Sequence, residues 1–97
     1  MSTYITLVNY TPQGIAKIKD SPQRMDAIKK TAAALGGKVL SIYVTMGRYD
    51  GVSVSEFPDD AAYAKFIISV ASLGFLSTET LKALSEAEFR QVIGSLS

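Results

Sequence analysis

Three side chains that could do chemistry lie next to one another in the run Gly47-Arg48-Tyr49-Asp50-Gly51. A carboxylate can act as a base or an anchor, a phenol can donate a hydrogen bond, and a guanidinium can clamp a carboxylate or an oxyanion. The same residues also have structural uses, since aspartate before glycine is common in turns and the arginine can pair with Asp50 or with a second chain. The sequence favours a structural or interface role over ligand contact, and ligand contact over catalysis.

This run lies between two apolar segments that alternate in character, which predicts a hairpin with strands over 38–46 and 52–57. A glycine at each end lets the backbone reverse with a positive φ, which other residues rarely adopt. We therefore expect positive φ at both Gly47 and Gly51.

The composition excludes several kinds of site. The chain has no cysteine and no histidine, so it has no disulfide, no thiolate nucleophile and no histidine ligand for zinc or haem. Asp59 and Asp60 are expected to cap a helix, because no third and fourth metal ligand follows at useful spacing. No phosphate-binding glycine loop or nucleophile elbow is present. We expect no cofactor and no metal.

The net charge of +1 is too small for a dedicated nucleic-acid-binding protein. The charge is unevenly distributed, because residues 1–48 carry seven bases and two acids while residues 49–97 carry three bases and seven acids. This asymmetry could support self-association, or it could reflect solvated helix faces of opposite sign. Arg24 is unfavourably placed for the dipole of its predicted helix, so we expect Asp20, Asp26 or Asp50 to pair with it, with binding of an anion as the less favoured alternative.

The length of 97 residues predicts one domain spanning 1–97 with a modest core. The first residues enter a predicted strand directly, without the pattern of a signal peptide, and no apolar run approaches the roughly 18 residues of a membrane span. We expect a soluble, cytoplasmic protein that binds neither membranes nor nucleic acid.

Apolar and β-branched runs predict four strands, over residues 3–10, 38–46, 52–57 and 75–84. Helical spacing and capping signals predict a helical turn at 15–19, a helix that starts at Ser21 and ends at the glycines 36–37, a helix from Asp59 or Asp60 to Gly74, and a short helix capped by Ser85 and Glu88. This order predicts a ferredoxin-like α+β fold, a split βαβ with a four-stranded antiparallel sheet, two main helices on one face and a short C-terminal helix.

Two helices cover only one face of such a sheet, so the other face must meet water, a ligand or a partner. Strand alternation is expected to place hydroxyl and aromatic groups on the uncovered face: Tyr4, Thr6, Val8, Ser41, Tyr43, Ser53 and Ser55. Two such faces around a two-fold axis would form a barrel-like homodimer that encloses a small cavity. Thr6, Ser41 and Tyr43 would then line that cavity or simply pack in the dimer.

The chain resembles the GYD domain family, small proteins placed among the dimeric α+β barrels. The resemblance rests on segments in order along nearly the whole chain: Tyr10-Thr11, Gln13-Gly14-Ile15, Lys19-Asp20-Ser21-Pro22 with Arg24, Gly47-Arg48-Tyr49-Asp50, Pro58-Asp59-Asp60, Leu73-Gly74 and Ser77-Thr78-Glu79-Thr80-Leu81. It implies a dimeric α+β barrel, but no particular reaction. Proteins of this architecture include monooxygenases, lactone isomerases, haem-dependent enzymes and proteins without assigned chemistry, so the fold does not choose among them.

Three functions follow from these features. The first is binding or non-oxidative handling of a small metabolite in the dimer cavity. The second is a cofactor-free monooxygenase or isomerase that uses Tyr43, Tyr49 or Asp50, and the third is a structural oligomerisation module with no ligand. No catalytic residue is assigned, and the candidate ligand-binding residues are Thr6, Ser41, Tyr43, Arg48, Tyr49 and Asp50.

Overall fold

The computed structural model describes residues 1–96. In chain order the elements are β1 (Ser2–Tyr10), α1 (Pro12–Ala16), a 3₁₀ turn (Ile18–Asp20), α2 (Ser21–Ala34), β2 (Lys38–Val44), β3 (Gly51–Phe57), α3 (Asp60–Ala71), β4 (Leu76–Ala83) and α4 (Glu86–Gly94). The predicted strands and long helices are all present. The helical turn predicted over 15–19 is instead α1 followed by the 3₁₀ turn.

The four strands form one antiparallel sheet in the order β2-β3-β1-β4. This order, together with the order of helices and strands along the chain, is that of a ferredoxin-like split βαβ fold. The predicted α+β fold class is confirmed. Because Gly51 of β3 pairs with Val8 of β1, the turn between β2 and β3 lies beside the end of β1.

The helix starts follow local capping chemistry. The Asp59 carboxylate accepts a hydrogen bond from the Ala62 amide at 2.8 Å, so Asp59 is the cap of α3. The predicted capping box of Ser85 and Glu88 is confirmed at α4. The predicted Ser21 cap is wrong, because the 3₁₀ turn leads directly into α2 and Ser21 already has helical backbone angles.

Aromatic rings form the centre of the core between the sheet and α3. Tyr4 of β1 stacks on Tyr63 of α3 with ring centroids 4.1 Å apart. Phe57 of β3 packs edge-on against both rings and lies 4.9 Å from the ring of Phe66. All four residues are buried. Aromatic pairs in these geometries favour folding beyond the area they bury.

The structure reverses the predicted faces of β1 and β3. Thr6 is buried and hydrogen-bonded to the Tyr63 hydroxyl of α3 at 2.8 Å. Residues directly opposite in antiparallel strands share a face, so the whole set related to Thr6 lies on the helix side. The uncovered placement is therefore wrong for Tyr4, Thr6, Val8, Ser53 and Ser55. The physical reason is that α3 supplies an aromatic ring and a hydroxyl, which give the polar face of these strands a matching partner.

A β-bulge between Val39 and Ser41 changes the phase of β2. Val39 consequently lies on the helix side, opposite Ser55, whereas Tyr43 lies on the uncovered side, opposite Val52. The uncovered placement predicted for Ser41 and Tyr43 is therefore correct.

Aliphatic side chains fill the side of the sheet away from the helices. We call this surface the open face; its central residues are Ile5, Leu7, Tyr43, Val52, Val54 and Leu81. Tyr43 is 63% exposed and Leu81 is 48% exposed. Within residues 1–96 no helix covers this surface.

Helix α4 projects from the sheet, and the described chain including α4 extends 54 Å along its longest axis. Its apolar side is exposed, as shown by Phe89 at 54% and Ile93 at 48%. No helix in the described part of the chain is long and apolar enough to cross a lipid bilayer.

Candidate functional site

Asp50 holds the turn between β2 and β3 to the end of β1. Its carboxylate accepts a hydrogen bond from the Tyr10 amide at 2.9 Å. Its own amide donates to the Val8 carbonyl at 2.8 Å and to the Asn9 side chain at 3.2 Å. Its carbonyl accepts from the Thr45 amide at 2.9 Å. Both the backbone and the side chain of Asp50 therefore fix the position of the turn.

The two glycines of the turn have different roles. Gly47 has a φ of 139°, in the region that favours glycine. Gly51 has no positive φ, because it is already part of β3 and pairs with Val8. The prediction of positive φ is thus confirmed for Gly47 and wrong for Gly51.

Tyr49 reaches across the sheet to β4. Its hydroxyl donates a hydrogen bond to the Glu79 carboxylate at 2.7 Å, and its carbonyl accepts from the Thr45 hydroxyl at 2.6 Å. The bond to Glu79 raises the pKa of the Tyr49 phenol above its usual value, and desolvation adds to the shift. Tyr49 is therefore a protonated donor at neutral pH, and Glu79, opposite Leu7, lies on the open face.

Arg48 is the free cation of this turn. Its guanidinium lies 5.5 Å from the centre of the Tyr49 ring. It forms no ion pair with Asp50 or any other carboxylate in residues 1–96. Of its predicted uses, pairing with Asp50 is wrong, while pairing with another molecule stays a prediction.

A second polar cluster lies at the opposite end of β1. The Tyr4 hydroxyl donates to the Asp60 carboxylate, which also pairs with Lys82 at 2.9 Å. Burial, followed by the bond to Asp60, raises the pKa of Tyr4 to about 12. The hydrogen bond from Tyr4, followed by that from Lys82, lowers the pKa of Asp60. These groups join β1, α3 and β4, and they lie far along the strand from the turn.

A small cleft opens between α2 and the helix side of the sheet, with a volume of about 90 Å³. Its walls are largely aliphatic and aromatic: Met25, Ile28, Val39, Ile42, Phe66 and Leu76. Arg24 and Asp50 also border it. This volume is well below the roughly 300–1,000 Å³ of sites for drug-sized ligands.

Arg24 is held by an aromatic ring and a hydroxyl rather than by a carboxylate. Its guanidinium lies 4.4 Å from the centre of the Phe75 ring, and one of its nitrogens donates to the Ser21 hydroxyl at 3.2 Å. The expected pairing with Asp20, Asp26 or Asp50 is wrong for the described residues. Stacking on an aromatic face stabilises a cation without neutralising it.

The structure brings together only part of the predicted site. Arg48, Tyr49 and Asp50 share the turn, and Ser41 and Tyr43 lie on the open face. Thr6 lies on the other side of the sheet, in the core.

The sequence did not connect Glu79 to the turn, and it indicated Arg24 only for pairing with a carboxylate or, less favoured, for binding an anion. Glu79 joins Tyr49 only through the pairing of β4 with β1. Arg24 reaches the cleft only through the packing of α2. The alternation of β4 was the one signal that could have placed Glu79 beside Leu7.

These features define a small ferredoxin-like α+β domain with one open sheet face and a Gly-Arg-Tyr-Asp turn. The model of the GYD domain family matches residues 4–93. The chain therefore belongs to the GYD domain family, and the resemblance drawn from its motifs is confirmed.

Two comparisons with individual proteins extend this result. The chain is 32% identical over 89 residues to the glutamine synthetase and cystathionine beta-lyase binding protein of Thermus thermophilus, covering 91% of this chain and 94% of the relative. It also resembles the crystal structure of a Thermus thermophilus protein with a TM-score of 0.56 and 24% identity, covering 88% of this chain and 95% of the other. The second likeness supports the fold alone.

Proposed function

We propose that this chain is a cytoplasmic, single-domain binding protein over residues 1–97 that works as a homodimer and takes another protein as its partner. The observation that carries the proposal is the aliphatic open face, since a folded monomer rarely leaves a large contiguous apolar surface in water. In the proposed dimer two open faces pack against each other as in a dimeric α+β barrel.

The open face has the composition of a self-complementary contact. Ile5 lies between Val54 and Leu81, and Leu7 lies beside Val52, so a continuous aliphatic strip crosses the central strands. An interface around a two-fold axis uses the same patch on both chains, which an aliphatic strip satisfies without matched charges.

The partner protein is proposed from the relative and from α4. The Thermus thermophilus relative is named for binding glutamine synthetase and cystathionine beta-lyase, and we extend a role of that kind, binding an enzyme, to this chain. Helix α4 offers the contact: its exposed apolar side includes Phe89, Val92 and Ile93. Amphipathic helices commonly bind proteins by laying such a side in an apolar groove.

Two substitutions on α4 test the partner proposal with the glutamine synthetase of the same organism as the probe. Ile93→Glu places a negative charge on the apolar side of α4. Gln91→Glu adds the same charge to α4 outside that apolar side. We expect Ile93→Glu to weaken capture of the synthetase at least tenfold and Gln91→Glu to leave it nearly unchanged. Failure of the unaltered protein to bind the synthetase, or equal effects of the two changes, would contradict the proposal.

A small-molecule role is the second candidate, favoured by the polar groups at the edge of the open face. Ser41 and Tyr43 would border the space between two packed sheets, with Arg48, Tyr49 and Asp50 at its rim. Native mass spectrometry of gently purified protein tests this role, because a retained ligand adds a reproducible mass to the dimer. A dimer whose mass equals that of two chains alone, under conditions that preserve weak complexes, would contradict this role.

Catalysis by these residues has less support. The hydrogen bond to Glu79 raises the pKa of Tyr49, which disfavours the phenolate that a tyrosine base requires. One carboxylate oxygen of Asp50 already accepts a hydrogen bond from the Tyr10 amide. A monooxygenase or isomerase reaction would therefore depend mainly on Tyr43 and on groups supplied by the second chain.

A further inference from the structure

We infer that the cleft between α2 and the sheet binds a small zwitterion with a short branched aliphatic side chain, an α-amino acid of the size of valine. The cleft lies mainly on the helix side of the sheet, although Tyr43 and Val52 of the open face also border it, and it is separate from the contact on α4. The inference rests on three parts of the cleft: its apolar floor, one cation and one anion.

The floor fits a short hydrocarbon group. Ile28 of α2 faces Val39 and Ile42 of β2, with Phe66 and Leu76 completing the wall. A volume of about 90 Å³ corresponds to about three water molecules at roughly 30 Å³ each. A short branched hydrocarbon such as an isopropyl group matches a small apolar space of this kind.

Arg24 supplies the cationic end. Stacking on Phe75 and the bond to Ser21 fix the plane of its guanidinium. A guanidinium has five N–H donors, and Ser21 is the one side-chain acceptor that Arg24 meets in residues 1–96. The remaining donors are available to a carboxylate, which guanidinium groups bind through paired hydrogen bonds.

Asp50 supplies the anionic end. The Tyr10 amide occupies one of its carboxylate oxygens. The other oxygen has no hydrogen-bond partner among the described residues. A carboxylate held by the backbone in this way is already oriented, so binding an ammonium group costs little further ordering.

The two charges border one cleft and form no ion pair with each other. A simple anion would be attracted by Arg24 but repelled by Asp50. A simple amine would be attracted by Asp50 but repelled by Arg24. An α-amino acid satisfies both charges at once, because its carboxylate and ammonium are on adjacent atoms while its side chain points away from them. The cleft is therefore expected to bind the zwitterion more tightly than a compound that carries only the carboxylate or only the ammonium.

Three probes that differ by one group test this inference: L-valine, isovalerate, which lacks the ammonium, and isobutylamine, which lacks the carboxylate. Nuclear magnetic resonance titrations of the full chain give the dissociation constants and show which backbone amides respond. We expect L-valine to bind at least tenfold more tightly than either analogue, with responses at Ile28 and Ile42. Equal affinities for the three probes, or no binding of L-valine at millimolar concentration, would overturn the inference.

Two conservative substitutions separate the ends of the ligand. Arg24→Gln is expected to weaken L-valine and isovalerate at least tenfold while leaving isobutylamine unchanged. Asp50→Asn, which keeps an oxygen for the Tyr10 amide, is expected to weaken L-valine and isobutylamine instead. Arg90→Gln and Asp26→Asn remove the same charges from exposed positions and should change nothing. Similar losses in the test and control variants would overturn the inference, and the unaltered protein with its three probes tests it even if a variant fails to fold.

Discussion

The two faces of the sheet have opposite chemistry, and the polar one is buried. On the helix side, the hydroxyl of Tyr63 is 2.8 Å from the Thr6 hydroxyl and 2.7 Å from the Thr80 hydroxyl. On the open face, Ile5 lies between two aliphatic residues, Val54 and Leu81. Hydroxyl groups can be buried without large cost when their hydrogen bonds are made.

The contrast teaches that alternation along a strand shows which residues share a face, but not which face the helices cover. Polar groups on the helix side form hydrogen bonds with α3. The aliphatic side has no helix among residues 1–96 packed over it. The proposed homodimer therefore rests on the open face.

The largest expected effect is on the helix side. Phe57→Ala should lower the free energy of unfolding by about 3–5 kcal/mol, because it leaves a cavity among the rings of Tyr4, Tyr63 and Phe66. Urea denaturation at one fixed protein concentration measures it. Phe89→Ala, at a position 54% exposed on α4, is the matched control and should cost less than about 0.5 kcal/mol. Equal losses would contradict the difference in burial between Phe57 and Phe89.

Removal of one hydroxyl from the buried network should have the next largest effect. Tyr63→Phe leaves the ring in place but removes the partner of the Thr6 hydroxyl, so we expect a loss of about 1–3 kcal/mol. Ser55→Ala is the control, because the buried Ser55 hydroxyl has no hydrogen-bond partner among residues 1–96. It should be neutral or slightly stabilising, and a larger loss for Ser55→Ala than for Tyr63→Phe would refute the network.

Alkaline pH should lower the free energy of unfolding through Tyr4, which lies on the same side of the sheet. Folding raises the pKa of Tyr4 from 10.0 to about 12, so between these values the folded chain keeps a proton that the unfolded chain releases. The stabilisation is complete below pH 10 and is lost as the pH rises through 12. Tyr4→Phe should flatten this part of the stability profile, measured by denaturation at several pH values. An unchanged slope in the variant would assign the loss to other groups.

The smallest effect is expected on the open face. Ser41→Val replaces a hydroxyl opposite Val54 with an aliphatic group, and should change the unfolding free energy of the separate chain by less than about 0.5 kcal/mol. It should instead strengthen association, so that the dimer dissociates at a lower protein concentration. Weaker association in this variant, measured by dilution, would contradict an apolar contact at this surface.

The sequence predicted the order of the elements well, because their signals are local. Alternation defined the strands, Ser85 and Glu88 defined the start of α4, and Gly36 and Gly74 ended two helices. The Gly-Arg-Tyr-Asp run also located the turn, and the motif resemblance identified the family.

The features that it missed depend on contacts between distant parts of the chain. Burial of Thr6 depends on Tyr63, 57 residues away, and the bulge in β2 shifts the phase of Val39 without any glycine or proline to indicate it. The cleft depends on how α2 packs on the sheet. No periodicity within a single segment contains this information.

Sedimentation equilibrium of the unaltered protein and of the Val54→Lys variant is the most direct test of the proposed homodimer. Val54 lies between Ile5 and Ser41 in the open face, so a lysine there should prevent face-to-face packing while the helix side stays folded. We expect twice the chain mass of 10.4 kDa for the unaltered protein at micromolar concentration and 10.4 kDa for the variant, with the same circular dichroism spectrum for both. A mass of 10.4 kDa for the unaltered protein, or a variant that still dimerises, would contradict it.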